Sequence, residues 1–129
     1  MMSLLRGGRI IKNKKLKREV EKIDKDIKKF LKELREEPFG WHPKKNKKYR
    51  KLIEKILKEI EEHKKSMHEL YGFKPNNLPE LEKLEYYLRE YYKKLEAHRK
   101  GYTIVIPYGW LENLQQAIQT NWYKYKINF

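Results

Sequence analysis

Apolar side chains recur in this chain at alternating spacings of four and three residues, and that rhythm decides the fold class. Leu16, Val20, Ile23, Ile27, Phe30 and Leu34 form one series, and Tyr49, Ile53, Ile56, Ile60, His63, Met67 and Leu70 a second. Leu81, Leu84, Leu88, Tyr91, Leu95 and His98 form a third, and Leu111, Leu114, Ile118 and Trp122 a shorter fourth. At 3.6 residues per turn each series lies along one side of a helix. The sequence therefore predicts an all-α helical bundle of about four helices, three of them on the order of 30 to 40 Å long at 1.5 Å rise per residue. The same repeat describes a coiled coil, so the stripes are expected to pack both within one chain and between chains.

Breaks between the series fall where helical hydrogen bonding must fail. Residues 38–48, PFGWHPKKNKK, hold two prolines and a glycine and are expected to turn the chain. The second helix should stop at Tyr71-Gly72. Asn77, with Glu80 three residues on, has the spacing of a capping box for the third helix, and Gly101 suits its C-terminal cap. Tyr102 to Ile106 is a β-branched run read as an extended crossing segment, because no partner strand is visible.

Charge is the second constraint. The chain has 129 residues, fitting one domain, with 32 Lys plus Arg against 18 Asp plus Glu and a formal net charge of +14. Residues 1–18 contain Arg6, Arg9, Lys12, Lys14, Lys15, Lys17 and Arg18 and no acid. Between Glu37 and Glu54, Lys44, Lys45, Lys47, Lys48, Arg50 and Lys51 likewise have no acidic neighbour. These two blocks hold nearly all the excess, and the rest of the chain reads as close to neutral. We therefore divide the chain into a basic N-terminal arm, 1–18, and a helical domain, 19–129. Acid-free basic blocks point to a polyanion. Lys outnumbers Arg there, which favours neutralisation of a phosphate backbone over bidentate reading of bases.

Enzymatic chemistry finds no foothold. Cysteine is absent, which removes thiolate zinc sites and cysteine nucleophiles, and no glycine-rich phosphate loop, metalloprotease helix or nucleophile elbow occurs. His63 and His68 stand about 140° apart around a helix, so they do not pair on a metal. His63 and His98 fall on apolar seams, where a histidine bonded to a neighbour is the simpler expectation. The sequence predicts a non-enzymatic protein with no cofactor and no metal. No apolar run approaches the ~18 residues of a membrane span.

The last 28 residues are aromatic: Tyr102, Tyr108, Trp110, Trp122, Tyr123, Tyr125 and Phe129, with Glu112 the single acid. Such side chains, apolar with a polar tip, are expected at a subunit interface ahead of a role as base-stacking platforms.

A basic N-terminal arm running into long helices and an aromatic helical C-terminal part resembles the major coat proteins of filamentous archaeal viruses, of lipothrixvirus and rudivirus type. Tyr71-Gly72 followed by Pro75-Asn76 and a leucine helix looks like the tyrosine-glycine turns of those coats. The Lys/Glu-rich helices differ from the Ala/Gly-rich rudivirus type. The resemblance implies a virion subunit that pairs with itself or a second coat chain, wraps linear double-stranded DNA and stacks into a helical filament, inside a lipid layer in the enveloped branch. It places Arg6 to Arg18 and the Lys44 to Lys51 turn against DNA and Trp110 to Phe129 against neighbouring subunits.

The leading expectation is a sequence-independent DNA-packaging protein. A helical module docking on structured RNA or an acidic protein is the alternative. A third reading lays Leu4, Leu5, Ile10 and Ile11 of the basic arm on anionic lipid.

Overall fold

The computed structural model describes residues 13–36, 43–72, 78–127 and 129, the side chains of Pro43 and Lys44 excepted. It is an all-α bundle of four helices: α1 (Lys14–Glu36), α2 (Pro43–Tyr71), α3 (Pro79–Arg99) and α4 (Trp110–Lys126). Each helix packs on the next, and α4 returns to α1, closing the ring.

Side-chain pairs fix the direction of each helix. Glu19 meets His63 and Glu33 meets Lys48, so α1 and α2 are antiparallel. Arg50 meets Glu96 and Lys64 meets Glu85, so α2 and α3 are antiparallel as well. Trp110 at the start of α4 lies 6.1 Å from Tyr91 on α3, and Trp122 near its end reaches Asp24 on α1.

All four seams close inside one chain. Every apolar residue of the first and fourth series is buried, and the core fills with Tyr49, Ile53, Ile56, Ile60 and Met67 from α2 against Leu81, Leu84, Leu88, Tyr91 and Leu95 from α3. Phe30, Tyr49 and Tyr91 meet at its centre with ring centroids 6.0 to 6.4 Å apart. Leu70 departs from its seam and is 48% exposed.

Helix ends differ from the sequence reading in three places. The arm assigned to residues 1–18 runs into the fold, because α1 begins at Lys14 and Leu16 is fully buried. Asn13 caps it, its side-chain oxygen accepting from the Leu16 amide at 3.0 Å. The turn assigned to 38–48 is shorter, because α2 begins at Pro43, where a missing N–H costs nothing at the first helical position. The capping box assigned to Asn77 and Glu80 falls on a residue outside the described ones; the N-cap of α3 is Leu78, one residue later, with no side-chain hydrogen bond, and Pro79 follows it.

Gly101 closes α3 as expected. At φ 86° it lets its own amide bond the His98 carbonyl and the Tyr102 amide bond the Ala97 carbonyl, the paired bonds of a Schellman motif. Residues 102–107 then form neither helix nor strand, no strand occurs among the described residues, and Tyr102, Val105 and Tyr108 are exposed.

Candidate nucleic-acid interface

The antiparallel hairpin separates the two basic blocks. Lys14, Lys15, Lys17 and Arg18 sit beside the end of α2, while Lys45 to Lys51 sit beside the end of α1. From Leu16 to Glu33 the distance is about 26 Å at 1.5 Å rise per residue. Among the described residues, the cations of the two blocks therefore stand apart rather than in a single site. Moreover, Lys48 pairs with Glu33 at 2.8 Å and Arg50 with Glu96 at 3.3 Å, so these two neutralise acids of the bundle itself. Asn46 joins them, accepting from Arg50 Nε at 2.7 Å and donating to the Leu95 carbonyl at 2.9 Å. Lys47 and Lys51 are exposed and make no ion pair among the described residues. Arg6, Arg9, Lys12 and the Lys44 side chain lie outside the described residues.

A continuous cationic surface forms elsewhere, along the outer side of α1. Its exposed bases are Lys14, Lys15, Lys17, Arg18, Lys22, Lys25, Lys28, Lys29, Lys32 and Arg35, and its exposed acids are only Glu21 and Glu36. These positions share an arc of roughly 160° around the helix and span about 35 Å along it. Lys22, Lys25, Lys28, Lys29, Lys32 and Arg35 come from the stretch that the sequence reads as nearly neutral. Its neutrality is cancelled in space because the other four acids of α1 turn toward neighbouring helices.

Each inward acid has an identifiable reason to be there. Glu19 accepts from Ser66 Oγ at 2.6 Å and from His63 Nδ1 at 2.7 Å, while His63 Nε2 lies 2.5 Å from the Tyr125 hydroxyl. Burial pushes His63 below its ordinary value, against the opposing pull of Glu19, so the ring is neutral with its proton on Nδ1. Asp24 accepts from Trp122 Nε1 at 2.8 Å and Lys126 at 3.2 Å and pairs with Lys28 at 3.0 Å. Burial raises its pKa, but those donors outweigh burial and hold the carboxyl below its ordinary value. Glu33 takes Lys48, and Asp26 lies 3.4 Å from Lys55. Asp26 also faces Glu59 of α2; burial first, then this neighbour, pushes Glu59 up to about 7.

Ser66 donates to Glu19 rather than to the imidazole, His63 is fully enclosed, and the ring nitrogen a nucleophile would need accepts from Tyr125. The histidine, serine, tyrosine and glutamate tie α1, α2 and α4 together.

The aromatic C-terminal set divides by burial. Trp122 and Tyr125 belong to the chain's own core. Trp110 is half-buried against Tyr91 with Lys94 5.1 Å above its ring, and Phe129 packs on His63 and Tyr125. Tyr102, Tyr108 and Tyr123 are exposed, so only these three offer their rings to another molecule. A seam between α1 and α4 opens into a groove of about 880 Å³ lined by Tyr123 and by bases of both helices.

Comparison with protein-family models, with curated proteins and with solved structures finds no match to this chain.

Proposed function

We propose that the protein is a non-enzymatic, sequence-independent structural protein of double-stranded DNA, and that it acts as a coat subunit wrapping linear DNA in a helical filament. The observation that carries the proposal is the outer side of α1, with ten exposed bases and two exposed acids. Its length of about 35 Å is close to one turn of duplex DNA. A straight rod of lysines meets phosphates wherever it lies on the duplex, so affinity comes from charge neutralisation and counterion release rather than from base contacts. Lysine supplies this as a mobile point charge, and eight of the ten bases on this face are lysines.

In the coat reading, exposed Tyr102 and Tyr108 and the segment before α4 meet neighbouring copies or a second related chain, and the virion is where the protein resides. The resemblance to filamentous archaeal virus coats supports this part.

Retardation of duplex DNA at low salt tests the DNA reading, with structured RNA as competitor. Duplex DNA is expected to shift, without sequence preference, and to hold its own against RNA. Preferential loss to RNA favours the RNA-docking module instead. Negative-stain micrographs of protein mixed with linear duplex test the coat reading, for which filaments of constant diameter are expected.

A further inference from the structure

The groove between α1 and α4 differs from the α1 outer face in shape and in composition. Lys28, Lys32 and Arg35 rise along its α1 side, and Lys124 and Lys126 stand on the α4 side. Asp24 is the one acid among the described residues of its lining, and three donors already occupy it: the Trp122 indole, Lys28 and Lys126. Lys32, Arg35 and Lys124 make no ion pair among the described residues and are exposed. Five cations facing one committed carboxylate leave the slot strongly positive.

Tyr123 gives the slot a second property. Its ring is 60% exposed at the groove edge, one residue after the core anchor Trp122, so α4 holds its backbone firmly while the aromatic face stays open. An exposed ring among unpaired cations is the pairing that single-stranded nucleic acid uses, with phosphates on the bases and a nucleobase on the ring. Shape points to the same ligand: the groove is a seam between two packed helices with bases on both sides, so a strand lying in it meets cations from α1 and α4 together. An acidic peptide would satisfy the lysines and leave the tyrosine face unused.

We propose that the α1/α4 groove seats a single nucleic-acid strand, its phosphates against Lys32, Arg35 and Lys124 and a base stacked on Tyr123. This rests on the reading of the chain as a nucleic-acid binder and adds a second mode to it, one that shares Lys32 and Arg35 with the duplex face of α1 and adds Lys124 and Tyr123 from α4. Such a mode suits a protein that must hold strand ends or locally opened duplex while it coats DNA.

The test uses the full chain and a short oligo-deoxythymidine, read by anisotropy of the labelled oligonucleotide and by tryptophan fluorescence, since Trp122 lines the slot. The oligonucleotide is expected to bind and change the emission. Tyr123→Ala should weaken it about ten-fold, the scale of one lost stacked base, Tyr123→Phe should retain binding, and duplex affinity should be unchanged in both. Equal oligonucleotide affinity for the Ala variant and the parent, or competition by polyglutamate as strong as by oligo-deoxythymidine, overturns the stacking site. Duplex binding without oligonucleotide binding overturns the groove alone; failure to bind either removes the nucleic-acid reading too.

Discussion

At the residue scale, the carboxylates of α1 decide what the surface shows. Asp26 and Glu59 face each other across the α1/α2 seam, with Lys55 and Lys22 at the rim. Burial and the neighbouring carboxylate push Glu59 from its ordinary 4.5 up to about 7. Because the folded chain holds this proton to a higher pH than the unfolded chain does, the associated stability is complete below about 4.5 and is lost as pH rises through 7. Glu59→Gln removes the loss, so its melting temperature relative to the parent should climb between pH 5 and 8; thermal melts across that range check it, and a constant difference contradicts it. His63 works in the opposite direction: neutral and buried when folded, it costs stability as pH falls below its ordinary 6.5. Its place on a seam was legible from spacing, but its partners Glu19 and Tyr125, 44 and 62 residues away, were not. Only the fold brings them within hydrogen-bonding distance.

Helices were the most legible scale, because a four-three apolar repeat is a local signal that packing then rewards. Their ends were less so. Pro43 reads as a breaker from sequence, yet at a first helical position it has no hydrogen bond to lose, and α2 gains its basic first turns from it. Gly101 reads correctly because a left-handed residue just past a helix end is a backbone requirement rather than a tertiary one. At φ 86°, Gly101→Ala should cost about 1 to 2 kcal/mol, the price of the left-handed region for an L-residue, seen as a lower urea midpoint. Deeper in the bundle, Phe30 touches the Tyr49 and Tyr91 rings from α2 and α3. Phe30→Ala should destabilise by about 3 to 5 kcal/mol. An unchanged midpoint would mean that the three helices do not meet at this ring.

For the whole molecule, the arrangement of charge matters more than its total. Two acid-free blocks are conspicuous in the sequence, but an antiparallel hairpin carries their described members, Lys14 to Arg18 and Lys45 to Lys51, to opposite ends, and the second block lends Lys48 and Arg50 to internal ion pairs. Residues 19–36 look balanced on paper because a linear reading counts acids and bases alike. Amphipathic packing sorts them, drawing Glu19, Asp24, Asp26 and Glu33 toward α2 and α4 and leaving the lysines outside. Angular position around α1 was available from the 3.6-residue period and would have placed these acids at the flanks of the buried stripe. The aromatic C-terminus is split the same way, Trp122 and Tyr125 inward and Tyr123 outward.

The salt dependence of duplex binding tests the central claim most directly, comparing the parent with Arg18→Gln/Lys25→Gln/Lys29→Gln. If all ten exposed bases of α1 engage phosphates, log K falls against log salt with a slope near −9, and each removed charge flattens it by about one unit. The slope should be shallower by about three in the triple variant, with equal weakening on every sequence. Parent and variant slopes that coincide would contradict it, because the phosphates would then be held by some other surface.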